Sequence, residues 1–296
     1  MIDNVTLVKH CKMPKILSCA KGDRVEYRGL IFDTQADGKG DNRFVGKLKN
    51  LRLYCYPDRI VIRNSIHKYI HGHNFTDFNL SDKLRAVEML SDQTGFDLSD
   101  AVVRSMEYGC NIEENASKSY GALKCYMNKD YVPMHKNGKI YGASCNFTEY
   151  AIKAYDKALE MKLRNGMNLQ KPIFRWEIAR GKIRGVEKLL QVECLTLDHL
   201  CCRRTWRMLA NDAIGKYDNS IKMQKINYDK IKTIEDFKIF SVMRNPEARQ
   251  HIERHHRHSL KKYRSTFKRI MANREICEAD CISEELRAKL ELLINC

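Results

Sequence analysis

The stretch KIYGASCNFTEYAIKAYD, residues 139–156, alternates apolar and polar side chains on both sides of a short turn. This period is typical of a β-strand that buries one face, so we expect strands over 139–145 and 149–156, joined around Asn146. Strands joined by so short a turn pair antiparallel. The hairpin therefore predicts an antiparallel sheet.

The same period recurs elsewhere in the first 180 residues. It predicts another hairpin and two further strands, over residues 51–62, 102–112 and 174–178. Between these segments, Ser81 is a candidate cap and Gly95 a candidate stop for one helix.

The apolar spacing becomes helical after residue 183. Thr233 is a candidate N-cap, Pro246 a helix break, and Leu286 and Leu290 lie on one face of a last helix. The sequence predicts an α+β fold in two parts. The first is a mainly antiparallel sheet with packed helices, a catalytic domain over 1–183, and the second is an all-helical basic region over 184–296.

Tyr155 is the candidate nucleophile of the predicted hairpin. Side chains two apart on a strand share a face, so Lys153, Tyr155 and Lys157 point one way while Ile152 and Ala154 point the other. Two cations beside a tyrosine favour the phenolate, so we expect a lowered Tyr155 pKa and a good position for meeting phosphate. The alternative is an ordinary half-exposed strand tyrosine.

Two other tyrosines lie close to Tyr155 in the sequence. Tyr150 is five residues away, an odd offset, so in an unbroken strand it faces the opposite side. Tyr141 lies on the partner strand, where we expect it to pack across the hairpin.

Two glutamates stand in the middle of otherwise apolar strands. Glu177 shares a face with Arg175, and Glu107 lies in the strand over 102–112. A carboxylate in such a place is costly unless it is paired or binds a metal ion. Both readings stay open, since Glu177 could also form a salt bridge to Arg175 or Arg180.

The chain is strongly basic, and the charge is concentrated. There are 53 Lys and Arg residues against 37 Asp and Glu, a net charge of +16, of which ten basic and two acidic residues between Arg244 and Arg274 supply +8. Such a balance favours a polyanionic partner, most commonly nucleic acid. The candidate DNA contacts are Arg175, Arg254, Arg257, Lys261, Lys262, Arg264, Lys268 and Arg269.

Several classes of protein are not indicated. The sequence has no Walker loop, dinucleotide-binding fingerprint or Gly-x-Ser-x-Gly motif. No apolar run reaches the roughly 18 residues of a membrane span. The N-terminal Met1-Ile2-Asp3 carries an acid where a signal peptide has positive charge, so we expect a protein of the cytoplasm.

Five segments of the first 180 residues resemble the gene II replication initiators of filamentous bacteriophages and, more loosely, plasmid rolling-circle initiation factors. In the family's order these are Met1-Ile2-Asp3, Gly72-His73-Asn74, Arg104-Ser105-Met106-Glu107, Ala154-Tyr155-Asp156-Lys157-Ala158-Leu159-Glu160 and Phe174-Arg175-Trp176-Glu177-Ile178-Ala179-Arg180. Glu107 stands where the phage proteins have Asp, and the helical last third matches nothing in the family.

The resemblance implies an origin-specific nickase and strand transferase. Tyr155 would attack a backbone phosphate and form a 5′-phosphotyrosine, with Lys153 and Lys157 stabilising charge. Mg²⁺ or Mn²⁺ would be held by Glu107 and Glu177. The implied partners are origin DNA, both supercoiled duplex and single-stranded, and host helicase and polymerase, with no membrane.

Two further candidate metal ligands are less clearly placed. Glu160 of the tyrosine motif could lie in a helix or a loop. His71-Gly72-His73 resembles the paired-histidine metal site of another class of nicking enzymes, although that class has a hydrophobic spacer. His73 remains a candidate single ligand or phosphate contact.

Two alternative functions fit the same residues. A non-catalytic DNA-binding protein, such as a repressor or partition factor, would use only the basic region. A metal-dependent hydrolytic nuclease would use the same carboxylates with water as its nucleophile.

Overall fold

The computed structural model describes residues 1–14, 17, 24–36, 42–223, 226–273, 275–276 and 281–296. Its strands are β1 (Ile2–His10), β2 (Arg24–Tyr27), β3 (Leu30–Ala36), β4 (Asn42–Leu48), β5 (Leu51–Tyr56), β6 (Arg59–Ser65), β7 (Val102–Ile112), β8 (Leu123–Tyr126), β9 (Lys129–Asp130), β10 (Val132–Lys136), β11 (Lys139–Asn146), β12 (Tyr150–Asp156), β13 (Phe174–Arg180) and β14 (Ile221–Lys222).

Helices occupy the connections and most of the last third of the chain. They are α1 (Ile66–His71), α2 (Leu80–Thr94), α3 (Ala116–Gly121), α4 (Lys157–Asn165), α5 (Arg184–Leu190), α6 (Arg203–Asp218), α7 (Ile234–Arg244), α8 (Pro246–His255), α9 (Arg257–Ala272) and α10 (Cys281–Asn295). None of the described helices is both long enough and apolar enough to cross a membrane.

The described residues fall into two units. The first comprises Met1–Ile221 and Ile282–Cys296, and the second comprises Lys222–Cys281. The second unit contains α7, α8 and α9 and has its own small apolar cluster around Phe240 and Ile270. The functional division at residue 183 stays a prediction.

One large antiparallel sheet organises the first unit. Among the described residues it has eleven strands in the order β10-β11-β12-β13-β7-β1-β6-β5-β4-β3-β2. The predicted α+β class is therefore confirmed, as are the two hairpins β5-β6 and β11-β12 and the strands β7 and β13. The two strands with candidate acids, β7 and β13, are direct neighbours near the middle of the sheet.

One face of this sheet is packed against helices. Alternate strand residues join the buried apolar side chains of α2, α6 and α10 in a single hydrophobic cluster. On β13 the fully buried Trp176 donates its indole N–H to the Ala213 carbonyl of α6 at 2.9 Å. The other parity of β13 carries Arg175 and Glu177, so these charged groups lie on the opposite face from Trp176.

A β-bulge near the N-terminus changes the facing of two residues. The pairing of β1 with β7 shifts register between Ile2 and Val5. Bulges break strict alternation. As a result, Asp3 and Asn4, which are consecutive, both line the same cleft on the open face.

The helix boundaries agree with sequence signals except at one cap. Gly95 ends α2 in the left-handed conformation, and Thr233 caps α7. The expectation that Ser81 caps α2 is wrong. Asn79, two residues earlier, is the N-cap and forms a capping box with Asp82, because each side chain accepts the other's backbone N–H. Ser81 lies inside the helix.

Lys83 of α2 is fully buried, and its ammonium has no hydrogen-bond partner among the described residues. Burial lowers the pKa of Lys83 from its ordinary 10.5 to about 8. One pKa unit corresponds to about 1.4 kcal/mol, so the charge costs on the order of 3 kcal/mol below pH 8.

We predict that Lys83→Met stabilises the protein by about 1 to 3 kcal/mol at pH 7, measured by urea unfolding. The folded-state pKa lies below the unfolded one, so the cost in the wild type fades as pH rises from about 8 to 10.5. The advantage of the variant should therefore shrink over that range. Arg85→Met, at an exposed position of the same helix, is the control. A Lys83→Met variant less stable than wild type would contradict the prediction.

Candidate active site

A polar cleft of about 380 Å³ opens on the exposed face of the sheet. Its floor is formed by β1, β7, β12 and β13, and β6, α1 and α4 contribute to its walls. It is lined by Asp3, Asn4, Asn50, Asn64, Ser65, Lys68, Asn74, Glu107, Lys153, Tyr155, Lys157, Glu160, Arg164 and Glu177.

Three carboxylates meet at the bottom of this cleft. Asp3, Glu107 and Glu177 each offer an oxygen atom, and these atoms all lie within 4.8 Å of one another. Asp3 and Glu177 are buried, whereas the Glu107 side chain is 20% exposed. Residues from the first, the seventh and the thirteenth strands are thus brought to one point by the strand order β13-β7-β1.

Arg175 forms ion pairs with two of the acids, Asp3 and Glu177. Its Nη2 donates to Asp3 Oδ2 at 2.6 Å, its Nε donates to Glu177 Oε2 at 2.7 Å, and its Nη1 donates to the Asn74 carbonyl at 2.9 Å. Ser65 and Asn74 also donate side-chain hydrogen bonds to Asp3. Buried acids of this kind are stable only when they are paired and hydrogen-bonded, and this requirement is met here.

Lys153 bridges the other pair of acids. Its Nζ lies 2.8 Å from Glu107 Oε1 and 3.0 Å from Glu177 Oε1. The three carboxylates therefore face two cations, and the cluster keeps one net negative charge when all five groups are ionised. Asn4 donates a further hydrogen bond to Glu107.

The acids differ in pKa because their neighbours differ. Burial and the charge of Glu177 raise the pKa of Glu107 above its ordinary value. Burial alone would also raise the pKa of Asp3 and Glu177. Arg175 opposes it together with Ser65 and Asn74 at Asp3 and with Lys153 at Glu177, and the pKa of both acids lies below the ordinary value. Glu107 is thus the acid of the three whose negative charge is least stabilised.

Tyr155 lies at the edge of this acidic cluster. Its hydroxyl donates to Glu177 Oε2 at 3.3 Å, and its ring packs edge-on against Tyr141, with centroids 6.0 Å apart. Opposite it, a Cβ on Gly142 would lie 2.3 Å from the Tyr155 Cβ, so only glycine leaves room here. The predicted facing of Tyr155 and the cross-strand packing of Tyr141 are confirmed.

The expected lowering of the Tyr155 pKa is wrong. Burial raises the pKa of Tyr155 well above its ordinary value, although Arg175 opposes this effect. The phenol is 7% exposed, so loss of water outweighs the nearby cations. Lys153 and Lys157 contribute little positive charge here, because each is paired with a glutamate.

Lys157 and Glu160 form a separate group on the wall of the cleft. Both lie in α4, where Lys157 Nζ donates to Glu160 Oε2 at 2.6 Å and Arg164 Nε lies 2.9 Å from Glu160 Oε1. Burial and repulsion from Arg175 lower the pKa of Lys157 below its ordinary value. Both Glu160 oxygens thus have basic partners, and Glu160 is not part of the three-carboxylate cluster.

The remaining predicted site residues are not brought into the cleft. His73 stacks on Phe75 with ring centroids 4.0 Å apart and does not line it. Arg175 is buried, and each of its three nitrogen atoms already has an acceptor. The predicted basic DNA contacts of the second unit are exposed on α8 and α9: Arg254, Arg257, Lys261, Lys262, Arg264, Lys268 and Arg269. Their contact with DNA stays a prediction.

The donor set of the cluster fits a hard divalent cation. Carboxylate and amide oxygens are the ligands that Mg²⁺ and Mn²⁺ prefer. Asn74 supports this fit, because it lines the cleft, its Nδ2 donates to Asp3, and its buried Oδ1 has no hydrogen-bond partner among the described residues. A buried oxygen without a partner, on a residue bonded to Asp3 in the same cleft, is suited to a cation.

Asp3 and Asn74 were not singled out as ligands by the sequence. Asp3 interrupts an apolar strand in the same way as Glu107 and Glu177, so the same burial argument applies to it. Its facing could not be read from alternation because of the bulge in β1. Asn74 follows His73 in the sequence, which does not show which of the two lines the cleft. In the folded chain the buried Asn74 side chain lines the cleft and the His73 side chain does not.

Comparison with solved structures gives a distant likeness. No family model and no curated protein matches the chain. It is similar to a solved structure of a rolling circle replication initiator protein from Geobacillus stearothermophilus, with a TM-score of 0.39 and 11% identity, covering 78% of this chain and 89% of that one. A likeness this distant assigns no function, so any function has to be inferred from the residues of the cleft.

We predict that Arg175→Leu lowers the free energy of unfolding by about 3 to 5 kcal/mol, measured by urea denaturation. The reason is that Asp3 and Glu177 would be left as buried charges without their shared partner. Arg164→Leu is the control, because its side chain is 55% exposed and its ion pair should contribute less than about 1 kcal/mol. Equal effects of the two substitutions would contradict the central role of Arg175.

We also predict that Glu107→Gln weakens Mn²⁺ binding at least about tenfold, measured by calorimetry on the DNA-free protein. The matched control is Glu160→Gln, which removes a carboxylate from the same cleft but outside the cluster. We expect its Mn²⁺ affinity to equal that of wild type. If Glu160→Gln weakened Mn²⁺ binding more than Glu107→Gln did, the metal would have to lie at α4.

Proposed function

We propose that this chain is a rolling-circle replication initiator, a metal-dependent endonuclease and strand transferase that nicks one strand of its origin through Tyr155. The observation that carries the proposal is the Tyr155 hydroxyl hydrogen-bonded to Glu177 at the edge of a three-carboxylate cluster. A nucleophile, a proton acceptor and a candidate metal site thus share one cleft on the open face of a sheet.

Glu177 is suited to accept the proton of Tyr155. A phenol with a raised pKa is a weak nucleophile until its proton is removed, and a carboxylate in hydrogen-bond reach can remove it as the oxygen attacks. Glu177 Oε2 is the acceptor at 3.3 Å, and Arg175 keeps this carboxylate ionised.

The proposed reaction exchanges one phosphodiester for another. The Tyr155 oxygen forms a bond to phosphorus, the bond from phosphorus to O3′ breaks, the tyrosine proton passes to Glu177, and O3′ takes up a proton from water. The products are a 5′-phosphotyrosine and a free 3′-hydroxyl that can prime synthesis. Because the bond energy is retained in the covalent link, rejoining requires no ATP.

Two lysines line the path of the phosphate. Lys153 and Lys157 both border the cleft on either side of Tyr155 in the sequence. We assign them to donating hydrogen bonds to the phosphoryl oxygens, in exchange for their present contacts with Glu177 and Glu160.

Asp3, Glu107, Glu177 and the free Oδ1 of Asn74 are the residues that would hold Mg²⁺ or Mn²⁺. When bound, the ion would polarise the scissile phosphate and offset charge on the leaving oxygen. Glu107 fits this role because burial and the charge of Glu177 raise its pKa, so a cation would stabilise its carboxylate form.

The wider role follows from the same chemistry. The substrate would be origin DNA in the cytoplasm of a bacterial host, as supercoiled duplex and as single strand. The exposed cations of α8 and α9 would add affinity for phosphates, and a host helicase and polymerase would extend the 3′-hydroxyl.

We predict that wild type forms a covalent protein–DNA adduct on supercoiled DNA carrying its replicon's origin with Mn²⁺, and that Tyr155→Phe forms none. The measurement is a denaturing gel with labelled DNA, alongside a binding assay showing that the variant still binds. Tyr141→Phe is the matched control, because it removes a hydroxyl from the ring that packs against Tyr155, and it should retain the adduct.

Other outcomes of this assay assign other functions. Nicking without an adduct, unaffected by Tyr155→Phe, would identify a hydrolytic nuclease that uses the same carboxylates. Binding without cleavage would identify a DNA-binding protein.

A further inference from the structure

Three cations stand side by side on the open face of the sheet, away from the cleft. In the register of β4, β5 and β6, Lys47 lies opposite Arg52, and Arg52 lies opposite Arg63. All three side chains are exposed. We call Lys47, Arg52 and Arg63 the basic row.

The basic row is unfavourable for the protein alone. Like charges directly opposite each other on neighbouring strands repel. No carboxylate in the described part of the chain forms an ion pair with Lys47, Arg52 or Arg63. Asp33 lines the same depression as Lys47 and Arg52 but forms no ion pair with them, so the row is available to an external anion.

The basic row leads toward the candidate active site. Arg63 lies opposite Thr6 of β1, and Thr6 lies opposite Ser105 of β7, with their hydroxyls 2.9 Å apart. Residues opposite each other point to the same face, and Glu107 is two residues beyond Ser105 on that face. From β4 to β7 the line crosses four strand spacings, about 19 Å.

One aromatic ring, that of Tyr54, packs against two arginines of this surface. The guanidinium groups of Arg63 and Arg43 lie 5.2 Å and 5.0 Å from the centre of the Tyr54 ring. Lys47, Arg52 and Tyr54 also line a shallow depression of about 590 Å³ between β3 and β5. A guanidinium group that stacks on a ring keeps its N–H donors available to a phosphate.

We propose that the basic row binds the sugar–phosphate backbone of the DNA strand whose scissile phosphate enters the cleft at Tyr155. This inference rests on the proposed function and adds the docking surface that aligns the substrate. Thr6 and Ser105 supply neutral hydroxyls between the cations and the acids, so the backbone can pass from the row to the cleft. A lipid surface fits less well, since membrane-binding faces place several large apolar side chains beside their cations, whereas the depression beside this row exposes one large apolar side chain among its described residues, Ile31.

The test compares two triple variants in DNA binding. The row variant is Lys47→Gln, Arg52→Gln and Arg63→Gln. The charge-matched control is Lys182→Gln, Arg184→Gln and Lys188→Gln, three exposed cations at and beside α5. Binding of a short fluorescein-labelled oligonucleotide, single-stranded and duplex, is measured by anisotropy over a salt series with EDTA present, so that no cleavage is required.

The row variant should have a salt dependence shallower by about 2 to 3 in log K against log salt, as loss of three phosphate contacts requires. Between about 50 and 200 mM salt, its affinity should fall roughly 20- to 40-fold less than that of wild type. The control should keep the wild-type slope. The melting temperature of the row variant should equal or exceed that of wild type, because the repulsion is removed.

Equal slopes for the row variant and wild type, or equal losses in both triple variants, would overturn the proposal. So would a row variant that binds DNA normally but loses binding to vesicles of phosphatidylserine and phosphatidylcholine. The adduct assay reports separately on the proposed function. If wild type forms the adduct but the row variant keeps the wild-type slope, this inference fails and the nickase proposal stands. If the row variant has a shallower slope but wild type forms no adduct, the nickase proposal fails.

Discussion

The contact on which the rest of the site depends is the one between Arg175 and its two acids. Arg175 is buried in β13 and joins Glu177 of the same strand to Asp3 of β1, which lies on the other side of β7. Without a shared cation, two buried carboxylates at this separation would not both stay ionised. The guanidinium therefore fixes both the position and the charge of the groups that surround Tyr155.

The two faces of the sheet separate this charged network from the apolar core. Trp176 and its neighbours of the same parity pack into the helices, while Arg175 and Glu177 point to the open face. A charged cluster is tolerated there because each member has partners and the cleft admits water. The same open face carries the basic row, so the candidate metal ligands and the exposed cations share one face, and no ion pair joins the two groups among the described residues.

Much of the fold follows from local sequence patterns. The period of two places Lys153 and Tyr155 together and separates both from Tyr150, whose ring lies beside Arg180 at 4.7 Å from the guanidinium. Left-handed Gly95 and the Thr233 cap mark helix ends for reasons contained within a few residues. The Ser81 cap was wrong because two side chains, Asn79 and Asp82, satisfy each other's backbone donors better than one hydroxyl can.

The sequence by itself determined which side chains share a face within each strand, and so it identified Tyr155, Glu107 and Glu177 as candidates. Only the tertiary structure decided which of them meet. It brought in Asp3 from far along the chain, paired Glu160 with Lys157, and left His73 outside. It also reversed the expected direction of the Tyr155 pKa. The physical reason is that alternation is local, whereas strand order, register and burial depend on contacts between residues distant in sequence, and burial outweighs nearby charge.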